Sequence, residues 1–248
     1  MTWRNIFPLS AAGNALAAFV FVLLTAMVAG AQALSVVPVN IFLSSGQKAT
    51  SLTLANQGTS ETAVQIRAYA WSQKDGDDQL TATDEVVLSP PIATLAPGAT
   101  QVVRLILRRP PQGREATYRI LLDQIPPPAE PGVVHVVLRL SIPIFAQPAV
   151  RAVPDVQFHL ERDADKIFLV GFNSGLLHAA IRNIELTASD GRKLKPDSSA
   201  SPYVLSGATR RWQIAAQDAM PMTSEPLQLT AHGDTGAIDQ QVRFVPAQ

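Results

Sequence analysis

Between Val133 and Phe145 the chain reads VVHVVLRLSIPIF, a run in which every second side chain is a large aliphatic. Val134, Val136, Leu138, Leu140, Ile142 and Ile144 share one parity, and His135, Val137, Arg139, Ser141 and Pro143 share the other. Successive side chains of a β-strand point to opposite faces, so an extended segment with this pattern carries six aliphatics along one side. Strands usually run about 5–6 residues, and this run is about twice as long. A strand so long and so one-sided either completes its own core or lends its apolar row to a partner.

The N-terminus has the form of a processing signal. Arg4 is the only charge before Lys48, Ala15 to Ala29 is apolar apart from Thr25, and Ala31-Gln32-Ala33 is a small-x-small cleavage site. Residues 1–33 are therefore expected to be a secretory signal peptide, with no stable membrane insertion once it is removed. An uncleaved anchor is the competing reading, but no basic stop-transfer cluster follows the apolar stretch. Residues 34–248 then suffice for two domains of ordinary size.

Without Arg4 the chain has 19 basic against 20 acidic residues, a net charge of −1. A near-neutral chain has no electrostatic footprint for nucleic acid. With 0 cysteines there is no disulfide or zinc–thiolate chemistry, so the fold rests on a core drawn from 47% hydrophobic residues. Alternating segments separated by turn signals predict strands near 35–43, 49–55, 63–71, 85–87, 100–107, 117–123 and 133–145. Seven strands in such a span predict an immunoglobulin-like sandwich, with Trp71 as its core tryptophan. Gln147 to Arg151 breaks the pattern. A weaker set follows near 155–160, 166–172, 178–187, 211–214, 227–231 and 242–245. The fold class expected is all-β, with a first domain over 34–147 and a second over 151–248.

An ordered series of motifs resembles the periplasmic pilus chaperones of the PapD type. It comprises Pro38 to Leu43, Ser51 to Asn56, Ser89-Pro90-Pro91, Leu95-Ala96-Pro97-Gly98 and Gln101 to Leu105. Tyr118-Arg119-Ile120-Leu121-Leu122-Asp123-Gln124-Ile125-Pro126-Pro127 follows, then Ile142 to Pro148, then Phe172-Asn173-Ser174-Gly175 with His178. The resemblance implies two immunoglobulin-like sandwiches arranged as a boomerang, in the periplasm, with no enzymatic activity and no cofactor. It implies two partners: a pilus or fimbrial subunit, which is a sandwich lacking its last strand, and an outer-membrane usher that receives the subunit.

By the same resemblance the long strand fills the subunit's gap, with Val134, Val136, Leu138, Leu140 and Ile142 as donor side chains. Burying four such aliphatics contributes roughly 6–12 kcal/mol, an upper figure before ordering costs. Family members hold the subunit's terminal carboxylate with an arginine on the first strand and a lysine late in the seventh. Asn40 and Pro143 stand at those places and supply no charge, so the chain looks like the divergent archaic branch. Arg139, Arg104 and Arg119 are the candidate replacements, because a carboxylate favours a charge-assisted donor. Where the family ties its domains with charges, the matching positions are Gln124, Gln147 and Asp234, which implies a joint less dependent on salt and pH.

Several features have plainer readings. The long run could be an ordinary central strand, and the whole chain a secreted structural or adhesive sandwich protein that donates nothing. Asp75-Gly76-Asp77-Asp78 lacks the spaced ligands of a calcium loop and is expected to be a solvated hairpin turn. His135, His159, His178 and His232 show no metal spacing, and no catalytic constellation stands out. Trp212, after Arg210 and Arg211, is expected to anchor the second core.

Overall fold

The computed structural model describes residues 34–128, 131–132, 136–163, 166–196, 201–214 and 225–245. The proposed signal peptide and Val134 lie outside the described residues. The first domain contains β1 (Leu34–Val37), β2 (Ile41–Leu43), β3 (Ala49–Asn56), β4 (Thr62–Lys74), β5 (Asp77–Ala82), β6 (Val86–Ser89), β7 (Ile92–Leu95), β8 (Thr100–Leu107), β9 (Ala116–Ile125) and β10 (Arg139–Ala146). One sheet has the order β1-β3-β8-β6. The other runs β2-β10-β9-β4, with β5 and β7 paired to the two halves of β4. Leu52, Leu54, Val64, Ile66, Leu105, Ile120, Leu122, Ile142 and Ile144 fill the core between them.

The second domain contains β11 (Val156–Asp163), β12 (Lys166–Asn173), β13 (Ala179–Ala180), β14 (Arg182–Thr187), β15 (Lys193–Leu194), β16 (Tyr203–Val204), β17 (Thr209–Ile214), β18 (Leu227–Gly233) and β19 (Gly236–Val242). Its sheets run β11-β12-β17 and β15-β14-β18-β19, with β13 paired to β16. Trp212 is in this core, as expected. Asn173 of the Phe-Asn-Ser-Gly motif is buried. Its amide donates to the Leu177 and Val204 carbonyls at 2.8 and 3.0 Å, and its side-chain oxygen accepts from the Asp155 and Gly175 N–H groups. The all-β expectation of two immunoglobulin-like sandwiches therefore holds.

Three details differ from the sequence reading. The first predicted strand is two strands in two sheets, because the chain crosses the sandwich edge at Pro38 to Asn40. Trp71 is not in the first core. Val64, Ile66, Ala68 and Ala70 hold the inward parity of β4, so Trp71 points out of the sandwich. It joins Phe145, Leu205, Ala208 and Tyr203 in a third apolar cluster between the domains. The third difference is the Asp75–Asp78 turn, which is solvated only in part: Asp75 and Asp77 are exposed, whereas Gly76 is buried and Asp78 half-buried. Gly76 forms a β-bridge with Arg210 of β17, and Gln73 exchanges hydrogen bonds with the Tyr203 carbonyl and the Leu205 N–H at 2.8 and 3.0 Å.

The amide-tied joint is corrected as well. Gln124 bonds to Thr62 and to the Leu138 N–H within its own domain, and Asp234 accepts from Ala180 and Arg182 within the other. The domains are instead joined by charged groups at other positions. Arg210 lies 3.0 Å from Asp78. A Glu115 carboxylate oxygen accepts from both the backbone N–H and ring Nδ1 of His178, each at 2.8 Å. The His178 ring stacks on Phe145 with centroids 3.5 Å apart.

At Gly76 the backbone has φ +88°, and an added Cβ would stand 2.9 Å from the Arg211 side chain. Gly76→Ala should therefore cost more than about 1 kcal/mol, since alanine is strained at positive φ. A lowered urea midpoint with red-shifted tryptophan emission, as Trp71 becomes wetter, is the expected result.

Candidate functional site

The long alternating run is divided by its neighbours. Of the predicted strand over 133–145, the described part begins at Val136, and there strand β10 starts only at Arg139 and runs to Ala146. The physical reason lies across the ladder. β10 pairs antiparallel with β9, Arg139 opposite Asp123 and Ile142 opposite Ile120. Continued upstream, that register would set Val137 against Ile125 and Val136 against Pro126. Pro126-Pro127-Pro128 has no N–H to offer, so β9 cannot extend the ladder. The last contacts are the Gln124 N–H donating to the Leu138 carbonyl at 2.9 Å and the Leu138 N–H donating to the Gln124 side chain at 3.3 Å.

The proposed donors consequently fall into different environments. Ile142 is 3% exposed in its owner's core and offers nothing outward in this conformation. Leu140 is half-buried at the rim of that core. Leu138 is 37% exposed and Val136 is 82% exposed. Ile142 and Ile144 on β10 thus fill the domain's interior, and the same row then runs past it.

The other edge of β10 is open along the same stretch. β2 pairs with β10 in parallel only at Ile144, Phe145 and Ala146. Because Leu138 bonds toward β9, the alternation of an antiparallel ladder turns the backbone groups of Arg139, Ser141 and Pro143 away from β9. Proline sits at one of these outward positions, so its missing N–H removes no bond from the β9 ladder.

The outward side chains of β10 and its neighbours join a polar cluster that packs toward the second domain. Arg119, cross-strand from Pro143, donates to Ser141 Oγ at 3.2 Å, stacks over Trp71 at 3.8 Å and lies 3.7 Å from Asp78. Burial lowers its pKa, the Asp78 carboxylate and Tyr203 raise it, and Arg210 lowers it further. An arginine so placed stays protonated at neutral pH. The buried Trp71 Nε1 has no partner among the described residues. Asn40 lies on the same side, its side-chain oxygen 3.4 Å from the Tyr203 hydroxyl.

The other candidate arginines are elsewhere. Arg139 is paired with Asp123, which also holds Arg67 at 2.5 Å. Arg104 stands exposed on the outer face of the opposite sheet, cross-strand from Ser51 and Ser89. Of the three, only Arg119 joins the cluster at the domain boundary. The sequence reading missed Asp78, Glu115, His178 and Tyr203 as joint residues. Their contacts span 130 positions for Gln73–Tyr203 and 63 for Glu115–His178, beyond any local pattern.

Comparison with known proteins gives a concordant picture. Residues 33–151 match the family described as the pili and flagellar-assembly chaperone, PapD N-terminal domain. Chaperone protein PapD of Escherichia coli is 33% identical over 87 residues, 33% of this chain and 36% of that protein, so the chain spans about a third of the curated relative it matches. Among solved structures, the CsuC–CsuE chaperone–tip adhesion subunit pre-assembly complex of the archaic Csu pili of Acinetobacter baumannii has a TM-score of 0.64. It is 22% identical, over 87% of this chain and 100% of that one. The YadV chaperone has a TM-score of 0.60 at 17% identity, over 85% and 98% of the two chains. Residues 33–151 thus carry the likeness to the PapD N-terminal domain, and the two-sandwich fold of the described residues is shared with the solved chaperone structures.

The Arg67–Asp123–Arg139 cluster gives a pH prediction. Burial raises the Asp123 pKa, but hydrogen bonds from Arg67 and Arg139 outweigh it and hold the carboxyl below its usual value. A carboxyl depressed in the folded state adds stability that is present above its unfolded pKa and lost as pH falls through the folded one. Urea midpoints of the wild type should fall with acidification through the carboxylate range, and Asp123→Asn should flatten that slope.

Proposed function

We propose that this chain is a periplasmic chaperone that captures pilus or fimbrial subunits by donating the overhanging part of its long strand, then passes them to an outer-membrane usher. The observation that carries this reading is the stretch upstream of Leu138, where Val136 and Val137 lie outside the β10 ladder. Pro126-Pro127-Pro128 offers no N–H across the ladder, and Leu138 and Val136 of the apolar row are exposed. By the sequence alternation Val134 extends the same row. Leu140 contributes its exposed rim, while Ile142 anchors the strand in its owner.

A strand added at the open edge has main-chain partners at Arg139 and Ser141, which give register, while the apolar row enters the client's core. β2 closes that edge from Ile144 onward. A client strand ending in a carboxylate at Arg119 must stop there, so it runs parallel to β10. Arg119 thereby takes the role that Asn40 and Pro143 cannot fill. Release to the usher requires no nucleotide if the subunit's fold with its neighbour's strand is more stable than its fold with the chaperone.

Leu138→Asp places a charge on the overhang, outside the β10 ladder. Its urea midpoint should stay within about 0.5 kcal/mol of wild type, as for other surface changes. Co-purification of subunits from periplasm should be lost. Retained capture at the wild-type level would contradict strand donation.

A further inference from the structure

Asp78, near the start of β5 and cross-strand from Gln73, reaches into both domains. Its Oδ1 lies 3.0 Å from Arg210 Nη1 and accepts from the Gln73 amide at 3.0 Å, while its Oδ2 lies 3.7 Å from Arg119 Nη2. Both arginines are nearly enclosed, Arg210 with its side chain 8% exposed and Arg119 with 13%. Arg210 belongs to the second domain and Arg119 to the first. One carboxylate therefore neutralises two guanidiniums across the domain boundary. The turn that carries it is seated by the Gly76–Arg210 bridge and the two Gln73 bonds.

We propose that Asp78 is a positioning residue that ties the carboxylate anchor to the docking of the two domains. It holds Arg119 over Trp71 and beside Ser141, and through Arg210 it makes that placement depend on the second domain being seated. The inference rests on the reading of Arg119 as the anchor. Without Asp78 the two guanidiniums would face each other with no shared counter-charge. Arg119 would then leave its place over Trp71 and beside Ser141, and the second domain would swing away from it. The 3.7 Å separation is longer than a hydrogen bond, whereas Arg210–Asp78 at 3.0 Å is within bonding distance. An arriving carboxylate can therefore take Arg119 while Asp78 stays engaged by Arg210 and Gln73, and the clasp need not open for the client to bind.

The test uses the full mature chain and a 12-residue peptide of alternating valine and threonine, ending in a free carboxylate or in an amide. Titration calorimetry gives the ratio of the two affinities, and small-angle scattering gives the spread of domain arrangements. The wild type should prefer the carboxylate roughly tenfold, the scale of one charge-assisted bond. Arg119→Ala should abolish the preference. Asp78→Asn should reduce it to twofold or less and broaden the scattering, while binding of the amidated peptide changes little. That ratio separates positioning from a merely structural role. Arg210→Gln removes the other half of the bridge and should act in the same direction, which keeps the test decisive if Asp78→Asn fails to fold. An unchanged preference in Asp78→Asn or Arg210→Gln, with Arg119→Ala having lost it, overturns the positioning role and leaves the anchor standing. No carboxylate preference in the wild type, or an undiminished one in Arg119→Ala, overturns the anchor and this inference together.

Discussion

A ladder cut short by proline governs this structure. β9 supplies N–H groups as far as Ile125 and then enters Pro126-Pro127-Pro128. From that point β9 offers the strand opposite no further N–H, although the aliphatic alternation of the sequence continues upstream without change. An unpaired edge beside exposed aliphatics is normally an aggregation hazard. Here the edge and the apolar row coincide, because the residues that lose their ladder are those whose side chains have passed the end of the domain's core. Ile142 and Ile144 are inside, Leu140 is at the rim, and Leu138 and Val136 are outside.

The opposite face of the same strand does different work. Phe145 is fully buried, but between domains rather than within one, packed with Trp71, Tyr203 and His178. The sheet that presents the open edge is also the sheet against which the second domain docks. Polar groups complete that docking: Glu115 on His178, Asp78 on Arg210 and Gln73 on the Tyr203–Leu205 backbone. Buried charged groups of this kind are stable only when paired, so each partner fixes the place of the other. Arg119 is held in that setting, next to the edge where a client strand would end.

Much of the architecture was legible because alternation is local. β3, β8 and β12 appear nearly where the pattern predicts them, and no strand lies between β10 and β11, over 147–155. Short or polar strands were not legible. β5 is largely exposed, and β15 and β16 are two residues each. The limit of the long strand was written in the triproline opposite it, but it becomes visible only once the β9–β10 register is known. Trp71 was misassigned although its parity, opposite to Val64 and Ile66, pointed away from the first core. The joint was illegible in a deeper sense. Its expected positions hold Gln124 and Asp234, each bonded within its own domain, and the ionic contacts moved to residues that no spacing connects.

Amide hydrogen exchange resolved by residue, with and without a bound subunit, tests the central claim most directly. In the free chain the Leu140 and Ile142 amides should exchange slowly, because they bond to β9, while those of Arg139 and Ser141 should exchange fast. On subunit binding, Arg139 and Ser141 should become protected, together with the amides upstream of Leu138. A subunit that binds tightly while those outward amides continue to exchange at the free rate would contradict the account.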